Sequence, residues 1–92
     1  MHYTFDAKKL SANVAKHQVW FHQADDFEWE SSIVWADTRK RYGETRFNAL
    51  GLIESCLYVM VFTLRAVSVR IISLRRANNR EKVRYAKAFN AA

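Results

Sequence analysis

The residues best equipped for chemistry lie where an apolar run ends in Arg75 and Arg76, then passes through Asn78 into a helix carrying Arg80, Lys82, Arg84 and Lys87. Upstream, Val67, Val69, Ile71 and Ser73 alternate with Ser68, Arg70, Ile72 and Leu74. That is the two-residue period of a strand, and its two largely apolar faces predict an interior position in a sheet. Asn78 can cap the helix, and Glu81, three positions on, can reach back to it as a capping box with Asn in place of Ser or Thr. Tyr85 and Phe89, four apart with Ala86 beside them, supply a stripe that can dock the helix on the sheet. A strand edge feeding arginines into a basic helix is suited to hold a polyanion. The plainer alternative is a solvated helix face whose charges only aid solubility.

Other chemistries find less support. His17 and His22, five apart, point in different directions around a helix, and no Cys or acidic residue completes a ligand set, so neither a metal nor a cofactor is expected. With only Gly43 and Gly51 and no proline, the chain has no glycine-rich phosphate cradle. Ser73 has no base following at a spacing that suggests a nucleophile.

The positioning elements can be read in order. Residues 2–5 form a short first strand, after which Asp6 caps a helix with Leu10 and Val14 at helical spacing that ends near His17. Phe21, Ala24 and Phe27 then recur every third residue, predicting a second short helix across the same face of the sheet. Residues 33–35 read as a strand and 38–43 as a basic turn with Arg39, Lys40 and Arg41. Residues 45–53 place Phe47, Ala49, Gly51 and Ile53 on one side and Arg46, Asn48, Leu50 and Leu52 on the other. Glu54 and Ser55 make a tight turn, residues 56–64 another strand rich in β-formers, and 65–67 a connection lacking the Gly or Asn that tight hairpins prefer. Strand, two helices, four strands and one helix predict an α+β fold with a mainly antiparallel sheet.

Composition agrees with one domain over residues 1–92, long enough for one modest core. Fifteen Lys and Arg against nine Asp and Glu give a formal charge of +6, which favours anionic partners. Residues 25–37 hold five of the nine acids and no Lys or Arg, so the rest of the chain is more basic than the whole. A single cysteine, Cys56, excludes an intramolecular disulfide; no targeting segment or membrane-length apolar run is recognised, and a cytoplasmic location is expected.

Several short pieces, in order and at matching spacing, then resemble the BrnT family of type II toxins. They are Phe5-Asp6 with Asn13 and Lys16-His17; Val19 and Phe21; Glu44, Arg46 and Phe47 followed by Gly51-Leu52; Thr63 and Arg65; residues 69–73 with Arg75 and Ala77; and Arg80, Glu81 and Tyr85. The family usually has Gly where this chain has Gln18, and an acid where it has Leu64. The resemblance implies a ribonuclease related in fold to the RelE group, which slows translation. It also implies an adjacent antitoxin, BrnA, a ribbon-helix-helix dimer that carries two toxins into a promoter-binding assembly. Promoter DNA is thus a partner only through that assembly.

Metal-independent RNA cleavage needs a base for the 2′-hydroxyl, cations around the transition state and an acid for the departing 5′-oxygen. His17, Glu44, Arg46, Arg65 and Arg75 are the candidates. Either His17 or Glu44 is the base and the other the acid, with Arg65 and Arg75 on the phosphate. Each also has a structural reading: His17 can close the first helix, and Glu44 can pair with Arg41 or Arg46. Lys16, Trp20, Arg39, Lys40, Arg41, Ser73, Arg76 and Arg80 are the candidates for RNA binding. Trp20, Trp29 and Trp35 can stack on bases or fill a core or an antitoxin interface, with Trp20 the one best placed for RNA. Arg70 reads as paired or antitoxin-facing. The competing class of function is a non-catalytic RNA- or partner-binding module gripping through the same helix.

Overall fold

Asp6 starts the first helix as expected, its Oδ1 accepting the Lys8 amide at 2.7 Å. The computed structural model describes residues 1–39 and 43–90. In chain order these form β1 (Tyr3–Phe5), α1 (Ala7–His17), 3₁₀ segments over Phe21–Asp26 and Trp29–Ser31, β2 (Ile33–Asp37), β3 (Arg46–Ile53), β4 (Cys56–Arg65), β5 (Ser68–Arg76) and α2 (Asn79–Asn90). The strands make one sheet in the order β1-β5-β4-β3-β2. Neighbours are antiparallel except β1 and β5, which run parallel. The fold is therefore α+β, as the order of elements predicts.

The second N-terminal helix is a 3₁₀ helix, and its period explains why. Three residues per turn stack Phe21, Ala24 and Phe27 on one side, and all three are buried. They cover the sheet face that carries Ala49, Ile53, Tyr58, Met60, Phe62, Val69, Ile71 and Leu74. Trp29 joins this layer, packed edge-on against Phe27 and Phe62, and its indole N–H donates to the Tyr3 hydroxyl at 2.7 Å. It is a core residue, one of the uses expected for it. Gly51 fits here because a Cβ would meet Phe27 Cζ at 2.6 Å.

The opposite face is covered only in part. Leu50, Val59 and Ala77 are buried there with Ile33, Trp35, Leu57 and Tyr85 around them. Tyr85 of α2 donates its hydroxyl to the Ser31 carbonyl at 2.7 Å and anchors the helix, whereas Phe89, tilted against it at 4.7 Å, and Ala86 are exposed, so the predicted stripe docks only through Tyr85. The Arg84 guanidinium lies 4.1 Å from the centre of the Trp35 ring, closing that side.

Two local features depart from the expected pattern. The simple alternation read for β5 fails at Ile72, because Val61 pairs with Ser73 whereas Phe62 pairs with Ile71. Ile72 is the extra residue of a β-bulge, so Leu74 shares a face with Val69 and Ile71, and Ser73 and Arg75 turn to the other. β5 is also interior only in part, since β1 pairs with it over Val69, Arg70 and Ile71 alone. Beyond that point a side chain replaces the missing strand. Buried Asn13 of α1 accepts the Leu74 amide at 3.0 Å and donates to the Leu74 carbonyl at 2.7 Å and the Val19 carbonyl at 2.9 Å.

The turns complete the frame. Glu54 and Ser55 have φ of 47° and 70°, a tight hairpin turn built from two left-handed residues without glycine. The β4–β5 hairpin closes through Ala66 and Val67 between paired Arg65 and Ser68. Gln18, at φ 57°, ends α1, its amide bonded to the Val14 carbonyl and its side chain to the Ala15 carbonyl. That left-handed position accounts for the glycine expected there.

Candidate ribonuclease site

The half of the sheet that α2 leaves open carries most of the predicted chemistry. Leu50 and Val59 face α2, so two-residue alternation puts Arg46 and Asn48 of β3, and Val61, Thr63 and Arg65 of β4, on that same face. The bulge adds Ser73 and Arg75 of β5. Moving outward from α2, Arg75 stands opposite Val59; Ser73 opposite Val61, Asn48 and Trp35; Arg70 opposite Thr63, with Arg46 opposite Asp37; and Arg65 comes last. Without the bulge, Arg75 would point into the opposite layer.

Arg75 occupies the corner where this face meets the end of α1. A depression of about 310 Å³ runs between Lys9, Asn13, Lys16 and His17 of α1 and Ile72, Ser73 and Arg75 of β5. A second, of about 280 Å³, lies over the sheet between Trp35, Asp37, Arg39, Asn48, Arg75 and Glu81. Arg75 is the wall shared by both. Its guanidinium grips Glu81 of α2 in a two-point ion pair, both contacts 2.8 Å, and the pair raises the arginine's pKa. Glu81 is lowered in return. The capping box predicted from sequence is present in both directions: Asn78 Oδ1 accepts the Glu81 amide at 2.9 Å, and Glu81 Oε1 the Asn78 amide at 2.8 Å.

His17 is half-buried at the last residue of α1, and its pKa is lowered by burial and then by the charges of Lys16 and Arg75. A neutral imidazole beside two cations is equipped to accept a proton near pH 7. It is the last residue of the helix and lines the depression, and as a neutral ring it does not supply the cation expected to complement the helix dipole.

Glu44 lies elsewhere. Its Oε1 accepts from Arg65 Nη2 at 3.1 Å, both side chains about half exposed. Arg65 is six positions along β4 from Val59, the partner of Arg75, which is about 20 Å at 3.3 Å per residue. His17 and Glu44 are therefore not brought onto one phosphate, and pairing them as base and acid of a single cleavage is corrected. Glu44 pairs with Arg65, a partner the sequence did not suggest, and the expected Arg41 lies outside the described residues.

The RNA-binding candidates also divide. Lys16 and Ser73 line the Arg75 corner. Arg39 sits at the far end of the second depression, bonded through Nε and Nη2 to Asp37, whose carboxyl is held down to about 2 chiefly by that contact. Trp20 is exposed just beyond the end of α1, its ring near His22. Arg80 is exposed on the first turn of α2. Arg76, by contrast, turns to the opposite face, its guanidinium 6.0 Å from the Tyr58 ring centre, because it follows Arg75 in a strand. It is not part of the open face. Lys40 and Arg41 lie outside the described residues.

Sequence reasoning undervalued Arg70, Asn48 and Glu81. Arg70 is half-buried on the open face and has no ion-pair partner among the described residues, contrary to the paired reading. Beside it, Thr63 is 2 % exposed, with no hydrogen-bond partner for its hydroxyl among the described residues. The alternation of Arg70 with apolar neighbours was the available signal, and it marks this face. No three His, Cys, Asp or Glu side chains gather in a metal-holding arrangement among the described residues, and no helix there is long and apolar enough to cross a membrane.

A family model described as the ribonuclease toxin BrnT of type II toxin-antitoxin systems matches residues 5–81, a span that contains the whole open face and ends at Glu81. No curated protein matches the chain. With the match running over most of its length and through the whole of β2, β3, β4 and β5, the chain belongs to the BrnT family of ribonuclease toxins.

Proposed function

We propose that this chain is an endoribonuclease that cuts single-stranded RNA without a metal ion at the Arg75 corner, slowing translation until an antitoxin covers the open face. The observation that carries the reading is the convergence of His17, Lys16 and Arg75 on one depression at the end of an arginine-lined sheet. His17 takes the 2′-hydroxyl proton, the 2′-oxygen attacks phosphorus, and the bond to the 5′-oxygen breaks. Lys16 gives that oxygen its proton, leaving a 2′,3′-cyclic phosphate and a 5′-hydroxyl. Arg75 carries the charge that builds on the phosphate. Arg46, Arg70 and Arg65, with Glu44 bound to it, hold the rest of the strand across the sheet, and exposed Trp20 offers a stacking surface.

Because the family acts in toxin-antitoxin pairs, a protein antitoxin is the natural partner. We assign it as a BrnA-like ribbon-helix-helix protein, two copies with two toxins, touching promoter DNA only as that complex in the cytoplasm. The test is induction of the chain alone and beside its neighbouring open reading frame, with purified protein incubated with labelled RNA in EDTA. Growth arrest relieved by the neighbour, together with cleavage in EDTA, is expected. Binding to RNA without scission or arrest would favour a non-catalytic module.

A further inference from the structure

Arg75 is held in a way that leaves one edge of its guanidinium on offer. A guanidinium has five N–H donors arranged as two planar forks, an end fork across Nη1 and Nη2 and a side fork across Nε and Nη2. Glu81 fills the end fork with contacts of 2.8 and 2.8 Å, and the remaining Nη1 donor reaches the Arg76 carbonyl at 3.3 Å. The Nε–H and the second Nη2–H have no acceptor among the described residues. These two parallel donors match the spacing of two phosphate oxygens.

The carboxylate doing the holding is itself immobilised. Glu81 Oε1 also accepts the Asn78 amide at 2.8 Å, and the Glu81 amide is bound by Asn78 Oδ1 at 2.9 Å. A helix start, a capping box and an ion pair thus fix one guanidinium plane at the wall shared by both depressions.

We infer that Glu81 is a positioning residue: it clamps the end of Arg75 so that the side fork receives two oxygens of the phosphate being cleaved. The inference rests on the ribonuclease reading above and deepens it. Donors fixed before the reaction stabilise charge that appears only in the transition state, so the clamp acts on kcat more than on KM.

The experiment compares Glu81→Gln, Tyr85→Phe and Arg75→Lys with the unaltered chain in RNA cleavage, and follows the Arg75 Nε–H resonance by NMR as a 2′-O-methyl RNA, which cannot be cleaved, is added. Glu81→Gln keeps an oxygen for the cap but cannot accept at both ends of the fork. It is expected to lose about ten- to a hundredfold in kcat with KM within about twofold, and to lose the Nε–H shift. Tyr85→Phe, which loses the bond that seats α2 on the Ser31 carbonyl, weakens the docking of the helix and keeps kcat, which separates positioning from stability. Arg75→Lys, with no fork, loses at least as much as Glu81→Gln. Unchanged kcat in Glu81→Gln beside an inactive Arg75→Lys overturns the clamp. So does an Nε–H resonance of the unaltered chain that ignores the RNA, whether or not RNA is cut. An Nε–H shift without cleavage by the unaltered chain keeps the fork and overturns the ribonuclease reading instead.

Discussion

Asn13 shows how much of the site hangs on one side chain. Its amide meets both backbone groups of Leu74 as a neighbouring strand would, at the point where β1 has ended and β5 has bulged. Asn13→Ala leaves the Leu74 and Val19 groups without partners in a buried place and is expected to cost about 3 kcal/mol in urea unfolding. It should also loosen the Ser73–Arg75 backbone and depress cleavage in the fraction that remains folded. His17 supplies the second residue-scale prediction. Burial, Lys16 and Arg75 push its pKa below the ordinary 6.5, so the neutral form that accepts a proton persists below that pH. The sign follows: kcat/KM falls as pH drops through the lowered value, with a midpoint under 6.5. A pH-rate profile with its acid limb at or above 6.5 would remove His17 as the base.

Among the elements, the β3–β4 hairpin stores strain that sequence can relieve. Glu54 and Ser55 sit in the left-handed region at φ 47° and 70°, where a Cβ is disfavoured and Asn-Gly is the preferred pair. Replacing them with Asn-Gly is expected to raise unfolding stability by about 1 kcal/mol and leave cleavage unchanged, since neither turn residue lines the depressions beside Arg75. The β4–β5 hairpin matters more for function. By closing through Ala66 and Val67 it sets the register that puts Arg65 opposite Ser68 and Arg75 opposite Val59, at opposite ends of one face. Insertion of a residue there would move the arginines of β5 past those of β4. The α2 helix contributes at its first turn, through Glu81, and at its middle, through Tyr85 on Ser31.

The molecule as a whole gathers arginines on one side of its sheet. Its open face carries Arg46, Arg65, Arg70 and Arg75, with Lys16 at the corner, and its three carboxylates there, Asp37, Glu44 and Glu81, are each engaged by an arginine. RNA binding should therefore weaken steeply with salt, with log K falling by about 0.7 per phosphate contact on a single strand, or about 3 for four or five contacts. Arg70→Ala is expected to flatten that slope by about 0.7, and Arg76→Ala, on the opposite face, to leave it unchanged in fluorescence anisotropy titrations. The same view shows what sequence alone makes legible. Local periods were readable: the two faces of β3, the three-residue rhythm of Phe21, Ala24 and Phe27, and the Asn78–Glu81 box. The bulge at Ile72 was not, because it is a matter of pairing register with β4, and the Asn13 side chain that bonds the backbone just beyond it lies sixty-one residues from Leu74. Nor was the distance between His17 and Glu44, which depends on strand register and not on any residue type. Glu81 was legible as a cap but not as the clamp on Arg75, since that role needs the strand and helix side by side.

The most direct test of this account is cleavage of labelled single-stranded RNA in EDTA by the unaltered chain, His17→Ala and Glu44→Ala, each checked for folding by circular dichroism. A proton-transfer site at the Arg75 corner predicts that His17→Ala loses about a hundredfold or more in kcat while Glu44→Ala, at the far end of the face, loses mainly affinity. Full activity in His17→Ala, or a kcat collapse in Glu44→Ala alone, would place the chemistry at the Arg65 end and contradict it.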